Sequence, residues 1–206
     1  MDTWTSIKNG REALGDYLAG LAVDDWNQPS LCAGWTVKDT AAHMLVIPAL
    51  PKGQVLRSFI GSGFNLDKMN AKLIKKLTAT MSTAEIVAKT RASAGSRSMP
   101  PGLKLPGVLT ELVVHSSDIS EGVGTPFALP VEDYLAALDH VKDIQPVFGT
   151  KMRIAELTIR ATDAEWSTGS GPKVEGPAQQ LLLAVTGRRS ALDLLSGEGL
   201  ATLRAR

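Results

Sequence analysis

The chain has one cysteine, only three histidines, and no apolar run that approaches a membrane span. A lone cysteine, Cys32, excludes an intramolecular disulfide and a zinc site built on several thiolates. No stretch reaches the roughly 18 apolar residues that a membrane helix requires, so no membrane partner is expected. The opening residues, MDTWTSIKNGREALG, lack the apolar centre of a signal peptide, and the expectation is a cytoplasmic protein. Charge of one sign is also missing. Lys and Arg number 22 against 21 Asp and Glu, for a net charge of +1, and the basic residues are scattered. A nucleic-acid partner would call for a basic face or recognition helix, and neither is present.

What the chain does have is enough apolar content, 44% of 206 residues, for a real core in one domain or one domain plus a small appendage. Trp4, Ile7, Leu14, Leu18 and Leu21 recur at near-helical spacing, which predicts an amphipathic first helix. Thr36 and Asp39 form a capping pattern for a second helix running to about Ile47, where Pro48 and Pro51 discourage continuation. Its buried stripe is expected to be Val37, Ala41, Met44 and Leu45. Further helices are predicted from Leu66 to Leu77, from a cap at Thr83 through Ala94, from Pro106 to Glu121, and after Pro130. From about residue 150 the pattern changes. Residues 152–162 are β-branched and partly alternating, which predicts a strand. A turn over 167–172, a strand over 173–175, helices over 177–185 and 190–195, and a closing strand over 200–206 follow. Residues 1–150 thus read as a helical domain and 151–206 as a small α+β domain.

Two histidine motifs carry the chemistry. In GWTVKDTAAHM, residues 34–44, His43 lies within the second helix, one turn from Asp39. In LTELVVHSSDIS, residues 109–120, Glu111 and His115 are four apart and share one helical face, with Asp118 three residues further on. One reading of Glu111 and His115 is an exposed helix pair. The other brings them to His43 in a bundle, giving two imidazole nitrogens and a carboxylate oxygen with coordination left open, the pattern of a catalytic zinc site. Cys32 has no basic neighbour in sequence and reads as a small, half-buried packing residue.

The stretch DDWNQPSLCAGWTVKDTAAHM resembles the opening motif of the mycothiol-dependent maleylpyruvate isomerase family, within the DinB-like metal-binding bundles. Trp26, Pro29, Ser30, Cys32, Gly34, Trp35, Thr36, Val37, Asp39 and His43 carry the likeness. ELVVHSSD is similar to the family's Glu-x-x-x-His helix followed by Asp, and FNLDKMNAKLI, with Asn70, to the segment between them. The tail over residues 161–197 looks like the family's small C-terminal domain with its Gly-Arg turn. The resemblance implies a DinB-like four-helix bundle followed by a small α+β domain. It also implies that His43, Glu111 and His115 ligate a divalent metal, zinc, and that mycothiol, a low-molecular-weight thiol of actinobacteria, is the cosubstrate. The partner would be a small electrophile, transformed by S-transfer or cis–trans isomerisation on a monomer or homodimer. Asp118 would orient a ligand histidine. Arg188, matching the Gly-Arg, would grip a substrate carboxylate or else answer a helix end, with Arg189 beside it. A bundle that binds without turnover, or a hydrolase using water instead of thiol, is the alternative. Residues 48–66 and 95–105 match no motif and are expected to line or cover the pocket.

Overall fold

The structure is a computed structural model and describes residues 2–99, 103–144 and 149–206. The fold is α+β, mostly helical with one small sheet late in the chain. It parts into two compact units, Met1–Ala128 and Leu129–Arg206. The expected boundary lay near residue 150.

In the first unit, α1 spans Thr3–Ala19 and buries Ile7, Leu14 and Leu18. A 3-10 turn, Asp24–Asn27, leads to α2, Val37–His43. The capping box is present in full. Asp39 N–H donates to Thr36 Oγ1 at 3.1 Å, and Thr36 N–H donates to Asp39 Oδ2 at 3.0 Å. These bonds satisfy two otherwise orphaned backbone donors and fix the start of the helix. Pro48 does not simply end this helix. α2 stops at His43, and one further helical turn, α3, runs Val46–Ala49. Of the expected stripe, Val37, Ala41 and Leu45 are buried, whereas Met44 is only half-buried.

α4, Lys52–Ile60, and α5, Leu66–Thr80, follow. α6, Thr83–Ala92, is capped by Ser82 rather than Thr83, in a second capping box with Glu85. α7 is the longest helix, Leu105–Val123. It passes through Gly122 and stops at Gly124, whose φ of 76° is a left-handed conformation that glycine adopts without strain. α1 packs on α6 and α7, and α2 packs on α5 and α7.

In the second unit, α8, Val131–Val141, packs on α10, Ala178–Val185, which is why the helix after Pro130 groups with this unit. The predicted strand over 152–162 divides. Thr150–Arg153 is a helical turn, α9, and only Thr158–Ala161 is strand, β1. The predicted turn over 167–172 contains β2, Ser167–Gly169, antiparallel to β1. β3, Lys173–Gly176, is parallel to β1 on its other side. Gly169, at φ 82°, sits where an added Cβ would lie 2.2 Å from the Leu157 carbonyl oxygen, so only glycine fits that close pairing. Ile159, Ala161 and Val174 face α10 and are buried. A 3-10 helix, Arg189–Leu194, follows α10. The expected closing strand is instead a short helix, α11, Leu200–Arg204, which packs on β3 and on the 3-10 helix. Among the described residues, no helix is long and apolar enough to cross a membrane.

Candidate metal centre

From Gly107 to Ser120, every residue of α7 is buried except Glu111 and His115. Their four-residue spacing puts both on one face, and that face meets the end of α2. His43 Nε2 lies 3.4 Å from Glu111 Oε2, and His115 Nε2 lies 3.8 Å from the same oxygen. The two imidazoles meet edge to face with ring centroids 4.9 Å apart, and Trp35 covers His43 at 5.1 Å. One ligand atom from each of His43, Glu111 and His115 falls within 4.8 Å of the others. Atoms held about 2.0–2.1 Å from a tetrahedral zinc are about 3.4 Å apart, close to the two distances from Glu111 Oε2 to the imidazole nitrogens. The three residues that the sequence singled out are therefore together, in a geometry that fits a divalent cation.

Asp118 supports this arrangement from behind. Its carboxylate is fully buried, and Oδ2 is 3.0 Å from His115 Nδ1. A carboxylate can only accept, so Nδ1 carries a proton, and Nε2, which faces Glu111 and His43, is the nitrogen left to bind a cation once its own proton has gone. His43 lacks such a partner. Its Nδ1 is buried and has none among the described residues, which leaves Nε2 as the ring's polar contact.

Cys32 was not expected here. Its thiol donates to Asp118 Oδ2 at 3.1 Å and lies 3.4 Å from His115 Nδ1. Cys32, His115 and Asp118 form a second cluster of ligand-type atoms sharing His115. The local chain explains the approach. Ser30 N–H donates to the Trp35 carbonyl oxygen at 2.9 Å, and a turn closed by Trp35 N–H on the Cys32 carbonyl oxygen uses Gly34 at φ 78°. Leu31 N–H then donates to the Asp118 carbonyl oxygen at 3.1 Å. The turn lies so close to α7 that a Cβ on Gly122 would sit 2.5 Å from the Pro29 carbonyl oxygen. The PSLCAGW turn itself was the available signal, but the basic helper comes from 83 residues away.

Burial alone would lower the His115 pKa. The hydrogen bond to Asp118, then the one to Cys32, then the negative charge of Glu111, outweigh burial and push it up to about 10. A cation bound at Nε2 must displace that proton, which couples metal binding to pH.

Arg188 lies in the second unit, half-buried, where its Nη1 donates to the Thr186 carbonyl oxygen at 3.0 Å just beyond α10. Arg189 is exposed and donates to the Arg204 carbonyl oxygen at 3.2 Å.

Comparison with known proteins gives concordant results. A comparison with curated protein sequences gives no match. Among solved structures, the fold resembles the mycothiol-dependent maleylpyruvate isomerase, with a TM-score of 0.63 at 15% identity over 96% of this chain and 92% of that one. A histidine-to-alanine mutant of that enzyme gives the same values. The family profile described as the mycothiol maleylpyruvate isomerase N-terminal domain matches residues 7–120, which contain both histidine motifs. Spanning more than half its length, that match shows that the chain belongs to the mycothiol maleylpyruvate isomerase family of enzymes.

Proposed function

We propose that the chain is a divalent-metal-dependent enzyme that uses mycothiol to isomerise, or transfer sulfur to, a small electrophilic substrate. The convergence of His43, Glu111 and His115 on one point, with Asp118 fixing the tautomer of His115, is the observation that carries this reading. Zinc suits two imidazoles and one carboxylate with coordination left open. A cation held there supplies positive charge that favours the thiolate over the thiol.

The substrate step is written for an activated cis-enoic acid. Thiolate sulfur bonds to one alkene carbon, and the π electrons move onto the conjugated carbonyl. The former double bond is then single and rotates. Expulsion of the same thiolate restores the double bond as trans, so the thiol is regenerated and nothing is oxidised or reduced. S-transfer shares the first bond-forming event but keeps the carbon–sulfur bond, with a proton or leaving group closing the balance. In both, the protein's own task is to hold the ligand atoms rigidly. The α2 capping box fixes His43, and Asp118 with Cys32 fixes His115. Either chemistry fits the site, and isomerisation is preferred because a family relative is named for it.

For Arg188 two roles compete. The contact to Thr186 favours the helix-end role, and the substrate-gripping role remains a proposal to be tested by mutation.

The test is metal content per folded chain after mild chelation and zinc reloading, followed by mycothiol-dependent turnover. One equivalent in wild type, lost in His43→Ala, Glu111→Ala and His115→Ala, is the expected result. A folded, reloaded wild type without stoichiometric metal would overturn the reading. Turnover that persists undiminished without thiol would point to hydrolysis.

A further inference from the structure

Beside the three ligand-type residues is a buried cation that the proposed reaction does not yet use. Arg11, on α1, is only 8% exposed. Its Nη1 donates to the carbonyl oxygens of Ser96, at 2.7 Å, and Ala94, at 3.4 Å. No carboxylate of the described residues is within ion-pair distance of it. A guanidinium withdrawn from water is costly unless an anion answers it, and two carbonyl oxygens supply no countercharge. Burial correspondingly lowers its pKa. Arg11 lines a cavity of about 70 Å³ together with His43, Glu111 and Ile47. A ligand anion in that cavity would share it with Arg11, His43 and Glu111.

Ile47 also lines a second, larger cavity of about 340 Å³. Its walls are mainly apolar, from Leu50, Val55, Leu56, Phe59 and Met69 among others, and among the described residues Lys52 is the one charged residue lining it. Most of these residues belong to α3, α4 and α5, within or beside the segment 48–66. An engineered apolar cavity of about 150 Å³ accommodates benzene. A space of about 340 Å³ therefore suits a body about twice as large.

We propose that the substrate is an amphiphilic electrophilic acid. Arg11 binds its carboxylate beside His43 and Glu111, and an alkyl or aryl body of about twelve carbons occupies the cavity between α4 and α5. The chemistry rests on the reading under Proposed function; the binding does not. A small dicarboxylate such as maleate would leave the larger cavity unfilled.

The experiment uses the zinc-loaded full chain, mycothiol, and a series of cis-acylacrylic acids with lengthening alkyl chains, plus benzoylacrylic acid and maleate. In parallel, calorimetry measures binding of the corresponding saturated, unreactive keto acids and their primary amides. Affinity and kcat/KM should rise about three- to fourfold per added methylene until the cavity is full, with maleate the poorest. Gly53 lines the cavity, lies in α4 and has open space around an added Cβ. Gly53→Phe and Val55→Trp should each weaken the long-chain members at least tenfold while sparing the shortest. Arg11→Met should weaken the acids at least tenfold but leave the amides unchanged. A mere clamp on the Ala94–Ser96 turn would affect both equally.

Affinity independent of chain length, or equal loss of acid and amide in folded Arg11→Met, would overturn the proposal. If the saturated acids bind as described but no acylacrylic acid turns over with thiol, the proposed reaction falls and the binding inference stands. Turnover without the chain-length trend does the reverse.

Discussion

Replacing Asp118 by Asn changes charge at a fully buried position with almost no change in volume, so it isolates what the carboxylate does for His115. Two effects of opposite sign should follow. Loss of the anionic acceptor weakens the basicity and orientation of a ligand imidazole. Such partners are typically worth about 10–100-fold in metal affinity, or roughly 1.4–2.7 kcal/mol. Against this, the same carboxylate is the first of the interactions that hold the metal-free His115 pKa up to about 10. At about pH 7 a bound cation must displace that proton across about three pH units, a penalty on the order of 4 kcal/mol at 1.36 kcal/mol per unit. Without Asp118, burial drives the pKa down and most of the penalty disappears.

The pH profile separates the two effects. Wild-type zinc affinity should climb about tenfold per pH unit between about pH 6.5 and about pH 8.5, because one proton leaves on binding. The Asp118→Asn profile should be much flatter over the same range. On these magnitudes the variant should be the tighter binder near pH 6.5, and the two curves should approach and cross between about pH 8 and about pH 9, above which the wild type binds more tightly. Competition against a chromophoric chelator at each pH measures this, with circular dichroism confirming that both proteins are folded. Parallel profiles would refute the role of Asp118 in setting the protonation of His115, and identical affinities would refute its role as an orienting partner.

The metal-free protein should lose stability as pH rises from about 6.5 to about 10, because His115 binds its proton more tightly folded than unfolded; a flat urea-midpoint profile in chelator would contradict this. Gly122→Ala should destabilise by about 1–3 kcal/mol, since its Cβ would press on Pro29 and Ser30, and should also weaken zinc binding by displacing Cys32 from Asp118. Unchanged denaturation and zinc affinity would show that the turn has room to move. Arg188→Gln should lower thermal stability and leave KM unchanged if the helix-end role holds, whereas a tenfold or larger rise in KM at unchanged stability would establish the substrate-gripping role.

The parts of the site that were legible in sequence are those determined by local geometry. Glu111 and His115 must share a face once residues 105–123 are helical, and the Thr36–Asp39 pattern caps a helix wherever it packs. Convergence of α2 and α7 is not local, and only the family resemblance made the meeting of His43 with Glu111 and His115 an expectation. Cys32 shows where local reasoning fails: with no basic neighbour in the chain it reads as packing, yet its partners are 83 and 86 residues away. The same limit explains the second unit. Ser167–Gly169 is a strand only because β1 pairs with it, and residues 200–204 form a helix that packs on β3 and the 3-10 helix. Arg11 carries the point furthest. On an amphipathic helix an arginine reads as part of the solvated face, and nothing near it in sequence says otherwise. Only the packing of α1 against α6 and α7 puts that charge into the cavity that holds His43 and Glu111, and there its want of a carboxylate becomes chemical information.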